Sequence, residues 1–563
     1  MKPGTPMHYK SVFASLALCL PCAAQATVVL DPIAHILPGQ TAKIGLFTHV
    51  PPTSTGGAPR TGAQGLQGLA DGSGRIFIND TRGILYVTDK TGAAPTPYLD
   101  LRTAGIGFSN AADATQTGLM SFAFHPNFNK DPQKPGYNIF YTIDTSAASN
   151  NGKAWGVRGV PANHDNIVHE WHVADPSAAT AQVTAVREVL RIAQPYKDHG
   201  AGTIAFNSAA RPGDADYGKL YIGMGDGGSA NDPLNSAQNL TVPFGKILRI
   251  DPVDPDGEGP RRYAIPSDNP FAGSAAARGE VWALGLRNPQ HFSWDAKGQM
   301  YIADIGQAQI EEVDVGRPGA NYGWPAREGT YARGPDKDDF AIYNRPPNPG
   351  FSDPIGQYDH EEILRFGGKL ASIGTAFRYE GSLMPGLFGD VILSDLVSGR
   401  LFYFDPDEAT SGTPATLHEL MLTLNGLPTT LRTLEGYSSA NRVDLRLGRD
   451  SDGELYMISK GDGAIYRFLG LAVPEPGSWI MMLAGFAAIG GVLRGRRSVG
   501  VSTIVCSLPY ASITGRQNLG LRPRSLRPHR MTPPVRSNRD SVCPSCELKF
   551  EGPIDSMQRF SSL

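Results

Sequence analysis

Between Thr27 and Gly470 the chain repeats one pattern: a turn rich in Asp and Gly, then a run alternating apolar or aromatic residues with others. Asp71-Gly72-Ser73-Gly74 leads into Arg75-Ile76-Phe77-Ile78, and Tyr217-Gly218 into Lys219-Leu220-Tyr221-Ile222-Gly223. Asp295-Ala296-Lys297-Gly298 leads into Gln299-Met300-Tyr301-Ile302, and Asp450-Ser451-Asp452-Gly453 into Glu454-Leu455-Tyr456-Met457. A period of two bounded by such turns predicts short antiparallel strands joined by hairpins. No stretch interleaves these strands with amphipathic helices, which argues against a parallel α/β sheet. Insertions at 103–117 and 325–351 make the spacing irregular. Repeated small sheets predict an all-β fold, a β-propeller, whose radial closure protects the strand edges. At roughly 70 residues per blade, a body of about 440 residues makes six blades.

The two ends break the pattern. Lys2 and Lys10, an apolar run over 12–20 and the small-x-small string Ala24-Gln25-Ala26 predict a secretory signal peptide over 1–26, ahead of a propeller body over 27–470. Near the other end, Val473-Pro474-Glu475-Pro476-Gly477 precedes an apolar run over 479–493 and then Arg494, Arg496 and Arg497. That run, about 15 residues, is shorter than the roughly 20 of a comfortable membrane span. The arginines would hold its end at the cytoplasmic face. The order resembles the bacterial PEP-CTERM sorting signal and sets a sorting segment with a short transmembrane helix over 471–497. The resemblance implies export, processing by an exosortase-type protease, and transient or permanent membrane anchoring through 479–493. The destination is the cell envelope or extracellular matrix of a Gram-negative-type bacterium. Residues 498–563, basic and scattered with Pro and Ser, read as a disordered tail with no selected fold.

Composition sharpens this picture in three ways. Among 563 residues, Gly 66 and Pro 45 make about a fifth of the chain against roughly an eighth on average, which suits many tight turns and not a helical bundle. A formal net charge of −3 averages basic ends with an acidic body, so a nucleic-acid or heparin binder is not expected. Of five Cys, two lie in the signal and three beyond Val505, so the body has no disulfide scaffold, thiol chemistry or Cys-ligated zinc.

Candidate chemistry lies in loops next to the strands. His199, in Lys197-Asp198-His199-Gly200-Ala201-Gly202, reads alone first as a plain loop residue and second as a general base. Asp226, in Gly225-Asp226-Gly227-Gly228, is a turn Asp or the partner that orients such a His. Arg287-Asn288 stands before Pro289 at a strand end, where loops carry function. The turn after Ala303-Asp304, with Glu311 and Glu312 beside it, either holds a hard cation such as calcium or is a solvated turn. His164, His169 and His172 read as exposed imidazoles on an alternating strand rather than a metal cluster. No serine hydrolase elbow, HExxH helix or P-loop is present.

Together these strings resemble a known family, the soluble quinoprotein glucose/sorbosone dehydrogenases or PQQ-dependent aldose sugar dehydrogenases. The supporting strings include Gln116-Thr117-Gly118-Leu119-Met120, Asp198-His199, Gly225 to Gly228, Phe244-Gly245-Lys246-Ile247-Leu248-Arg249-Ile250-Asp251, Leu284 to Pro289, Asn321-Tyr322-Gly323-Trp324-Pro325 and Leu393 to Arg400. The resemblance implies a six-bladed propeller that oxidises an aldose at C1 to the lactone, hydride passing to pyrroloquinoline quinone (PQQ), with calcium bound and an unknown electron acceptor downstream. It implies His199 as the base, Asp226 as its orienting partner, Arg287 polarising the quinone oxygen, Asn288 on the cofactor and Gln116 holding sugar or cofactor. The backbone carbonyls of Gly306 and Gln307 match the calcium turn. The family's lysine, however, falls on Val397, and its Arg-x-Arg-Asp string reads Asn441-Arg442-Val443-Asp444. Arg400, Arg442 or Arg446 would then have to supply the cations for the cofactor's carboxylates. Those departures motivate an alternative, a non-catalytic propeller binding glycan or protein in the matrix, and more distantly a metal-dependent lactonase or hydrolase.

Overall fold

A computed structural model of the chain describes residues 28–29, 33, 35–54, 59–110, 116–149, 154–253, 262–334, 341–344, 350–360, 371–436 and 442–472. The chain divides into two units, one of residues 1–472 with 561–563 and one of residues 473–560. The signal peptide, the apolar run 479–493, the tail and Asn441 lie outside the described residues. Among the described residues no helix is long and apolar enough to cross a membrane.

The body is all-β. Among the described residues, helix is limited to Leu431–Glu435, three 3-10 turns and the single position His360. Three separate antiparallel sheets of four strands follow one another along the chain. The first joins Ser121–Phe124, Ile139–Ala147, His164–Val173 and Val183–Gln194. The second joins Ala201–Phe206, Leu220–Met224, Lys246–Ile250 and Val281–Leu284, and the third Pro289–Trp294, Met300–Asp304, Ile310–Gly316 and Gly356–Asp359. The short strands Val28–Val29, Ile342–Tyr343, Tyr331–Arg333 and Arg327–Glu328 make a further four-stranded sheet, and the other strands form one 13-stranded sheet rather than further separate blades. Within it, Ile373–Arg378, Val391–Asp395, Leu401–Phe404 and His418–Leu424 make one antiparallel run. Arg446–Arg449, Leu455–Ile458, Ala464–Leu471 and the early strand Leu37–His49 make another. Ala63–Gly68, Arg75–Asp80, Ile84–Asp89 and Thr96–Asp100 make a third. Parallel pairings, Leu37–His49 with His418–Leu424 and Arg449 with Gln67, join the three.

The turns form as their residues dictate. Asp295 Oδ1 accepts the N–H groups of Lys297 and Gln299 at 2.9 and 2.8 Å, and Asp450 Oδ1 those of Asp452 and Glu454 at 2.9 and 3.0 Å. Gly298 and Gly453 take φ of 81° and 85°, which a side chain would oppose.

Between successive runs lie apolar clusters, each shared by two neighbours. Phe77 and Leu85 of one run meet Phe122, Phe140 and Trp171 of the next, and Ile247 and Trp282 meet Phe292 and Trp294. The last cluster joins Phe47, Tyr456 and Ile458 to Ala63, Ile76 and Tyr86, so the run holding residues 446–471 packs against the one holding residues 63–100. The innermost strands of all these runs line one central cavity of about 1440 Å³. The architecture is therefore a closed β-propeller. The predicted His strand is present, but its imidazoles are not exposed as expected. His164 and His169 are buried and His172 half-buried, because Asn163, Asp144 and Glu170 hold their ring nitrogens at 3.0, 2.9 and 2.8 Å.

Closure depends on Leu37–His49, which ties the final antiparallel strands to the run before them. Ile44, 2% exposed in the cluster with Phe377, Leu420 and Phe468, sits at its middle. Ile44→Ala is expected to cost about 2–5 kcal/mol, measured as a lowered midpoint in urea unfolding followed by fluorescence.

Candidate active site

The strand Leu220–Met224 ends against the loop that precedes Ala201–Phe206. A Cβ on Gly225 would lie 2.5 Å from the carbonyl oxygen of His199, so only glycine permits this approach. The approach brings His199, with φ 51°, beside Asp226. His199 Nδ1 lies 2.8 Å from Asp226 Oδ1, which also accepts the Gly228 N–H at 3.0 Å. Asp226 Oδ2 accepts the indole N–H of Trp324 at 2.8 Å. His199 and Asp226 are 4% and 1% exposed. With Nδ1 facing a carboxylate, the proton belongs on Nδ1 and Nε2 is left as the acceptor, the form a general base needs.

After Val281–Leu284 the backbone N–H groups of Arg287 and Asn288 donate to the two oxygens of Asp304 at 2.9 and 2.6 Å. The Arg287 guanidinium bonds the carbonyls of Ile305 and Gly306 at 3.0 and 2.6 Å, and its buried Nε has no partner. Asn288 Oδ1 accepts from Gln290 Nε2 at 3.0 Å. The same Nε2 reaches Gln116 Oε1 at 3.3 Å, which accepts the Gly200 N–H at 3.2 Å. His199, Asp226, Arg287, Asn288 and Gln116 therefore share one hydrogen-bonded group. Sequence reasoning missed Gln290, although it stands two residues after Asn288, and gave no role to Trp324.

The turn expected to bind calcium is organised otherwise. The Gly306 carbonyl receives Arg287, and the N–H groups of residues 307 to 310 all donate to Glu328 Oε1 at 2.8–3.0 Å. The Gln307 side chain locks onto Asn231: its Oε1 accepts the Asn231 backbone N–H and its Nε2 donates to Asn231 Oδ1, both at 2.7 Å. A better hard-donor set stands beside the turn: Asp304, Glu312 and Asp314 offer carboxylate oxygens all within 4.8 Å of one another. Burial raises all three, pushing Asp304 up to about 7 against the backbone N–H groups of Arg287 and Asn288, and, with repulsion from neighbouring carboxylates, Glu312 and Asp314 well above the usual range. Both oxygens of Asp314 are buried without a partner, so a dication with oxygen preference fits here.

The expected cofactor cations divide. Arg400 is paired with Glu419 on the neighbouring strand. Arg442 and Arg446 converge on Asp444 at 3.1 and 3.9 Å, joined by Lys460 at 2.6 Å, a third cation that sequence reasoning overlooked. Against its burial, these charges hold the Asp444 carboxyl far below the usual carboxylate range. Arg446 lines the central cavity with Gln290 and Gln64, and its buried Nε has no partner. Val443 is 1% exposed in the apolar core.

Comparison with known proteins then places the chain. It belongs to the glucose/sorbosone dehydrogenase family, whose model matches residues 62–467. The PEP-CTERM protein-sorting motif matches residues 472–497, which supports an exported, envelope-directed protein of a Gram-negative-type bacterium and implies exosortase processing. The chain is 30% identical to the HIPL1 protein of Arabidopsis thaliana over 435 residues, covering 70% of this chain and 60% of that protein. It is 26% identical to aldose sugar dehydrogenase YliI of Escherichia coli over 211 residues, covering 37% of this chain and 46% of that one. The chain thus spans about 60% of the length of the first of these relatives and less than half of the second. The crystal structure of the soluble aldose sugar dehydrogenase from Escherichia coli in the apo-form superposes with TM-score 0.51 at 18% identity, covering 76% of this chain and 99% of that one. That likeness concerns the fold.

The acidic trio makes stability depend on pH. Without a divalent cation, the folded chain keeps protons on Asp304, Glu312 and Asp314 that the unfolded chain releases near pH 4. The folded state then binds more protons, so stability is full below about pH 4 and falls as pH rises toward about 7. Calcium should remove this loss. The rise in Tm on adding calcium is expected to grow between pH 5 and pH 8, checked by scanning calorimetry with and without a chelator.

Proposed function

We propose that the protein is an exported PQQ-dependent sugar dehydrogenase oxidising an aldose at C1 to the lactone. The observation that carries the reading is the buried His199–Asp226 pair joined through one hydrogen-bonded group to Arg287, Asn288 and Gln116. Family membership supports it. The closed ring of clusters supports reading the antiparallel runs as six blades, the last completed by Leu37–His49.

The cofactor fits the residues present. Arg442, Arg446 and Lys460 outnumber the one carboxylate between them, and the partnerless Nε atoms of Arg287 and Arg446 leave donors for an anionic planar ligand. Arg287, Asn288, Arg442, Arg446 and Lys460 would hold PQQ, and Asp304, Glu312 and Asp314 would hold calcium. When bound, PQQ supplies a two-electron acceptor for hydride from C1. His199 Nε2 takes the proton of the C1 hydroxyl. Asp226 stabilises the imidazolium that forms, and Trp324 and Gly228 donate hydrogen bonds to its carboxylate. Arg287 presents positive charge where negative charge develops, and Gln116 offers an amide to the sugar. Burial of the pair excludes water that would weaken these interactions.

Val397 and the buried Val443, standing where the family carries cations, favour a second reading, a propeller that binds glycan without turnover. Reconstitution with PQQ and calcium, followed by dye reduction with a panel of aldoses, decides between them. Turnover is expected, with His199→Ala lowering kcat about 10²–10⁴-fold while the melting temperature stays near wild type. Sugar binding without turnover would establish the second reading.

A further inference from the structure

We propose that Trp324 is the positioning residue of this site, fixing both the Asp226 carboxylate and the Arg287 guanidinium through one indole. The proposal rests on His199 acting as the base. Trp324 is 3% exposed and lies 98 residues from Asp226 in the chain, yet its Nε1–H meets Asp226 Oδ2 at 2.8 Å. The other oxygen of Asp226 serves His199 and Gly228. A carboxylate held at both oxygens does not rotate, so Oδ1 stays aimed at the imidazole. An indole N–H only donates, so Asp226 Oδ2 is an acceptor in this bond and Oδ1 is left to face His199 Nδ1.

The indole also organises the cationic side. The guanidinium carbon of Arg287 lies 5.6 Å from the ring centroid and that of Arg333 4.8 Å. Both are within cation–π reach. Among the described residues the Arg287 side chain otherwise has two carbonyl bonds from Nη1, and the ring restrains the rest of its planar group. Trp324 is itself held at the backbone. Its N–H donates to the Gly285 carbonyl at 2.9 Å and its carbonyl accepts Gln238 Nε2 at 2.7 Å. Gln238 and Asn321 exchange amide bonds of 3.0 and 2.8 Å, anchoring the string that carries the indole. A residue serving only to fill space would act through the size of its ring, whereas positioning depends on the N–H.

Two variants separate these roles. Trp324→Phe keeps an aromatic face for Arg287 and Arg333 and removes the donor, while Trp324→Leu removes both. In the full-length protein without cofactor, the low-field proton signal of His199 Nδ1–H should shift and exchange faster with water in Trp324→Phe. After reconstitution, Trp324→Phe should lower kcat about ten- to a hundredfold with KM for the sugar unchanged and the acid limb of the pH–rate profile displaced. Trp324→Leu should lose more, or fail to fold. A folded Trp324→Phe with the wild-type proton signal and pH profile overturns the proposal. The two readings fail separately: absent sugar turnover in wild type refutes the dehydrogenase, while a displaced proton signal still establishes the hold of Trp324 on the pair.

Discussion

A carboxylate that is 1% exposed must find its donors inside the protein, and Asp226 finds them on three separate segments. His199 precedes the first strand of its sheet, Gly228 follows the second, and Trp324 comes from the next sheet along. Its own N–H donates to the Arg287 carbonyl at 2.7 Å, tying in the loop that leaves the fourth strand. Satisfying this one charge therefore requires that neighbouring sheets stand side by side at a fixed separation. The apolar cluster of Ile247, Trp282, Phe292 and Trp294 provides that separation. Packing between blades and hydrogen bonding above them are two halves of one constraint.

The same logic explains what could be read before the fold was known. Turns such as Asp295–Gly298 and Asp450–Gly453 are local: the carboxylate meets N–H groups two and four residues on, so a short string contains the whole interaction. His199, Asp226, Arg287 and Gln116 were legible only as an ordered series resembling a family, because no local rule joins them. Gln290 and Gln116 are 174 residues apart and meet only once the ring has closed. Trp324 reads in sequence as a turn aromatic, since nothing near it reveals the carboxylate it will reach. Arg400, a cation in a suggestive string, pairs with Glu419, the acid its own sheet places opposite. The buried imidazoles of His164 and His169 fail the alternation rule for a related reason. Both faces of an inner sheet of a propeller are covered, so period two no longer separates inside from outside.

Asp304 links the two charged regions of the site. Its oxygens receive the N–H groups of Arg287 and Asn288, and the same carboxyl belongs to the acidic trio with Glu312 and Asp314. Protonation of Asp304 would weaken both backbone bonds, whereas a cation among the three acids would keep it ionised and the bonds short. The position of Arg287 is thereby coupled to what occupies the trio, without any direct contact between guanidinium and cation.

On the other side, the fold answers a question posed by register alone. The positions at Val397 and Val443 lack the cations an anionic cofactor needs, and Val443 is committed to the core. Lys460 stands just beyond the end of Leu455–Ile458, beside the strand that carries Arg446, and reaches the same point as Arg442 and Arg446. Three cations around one carboxylate leave an excess of positive charge in surroundings that are largely buried. Such an excess is costly unless a further anion shares it. Under the proposed reading, an anionic ligand there would draw on Lys460, beyond the end of Leu455–Ile458, as well as on Arg442 and Arg446.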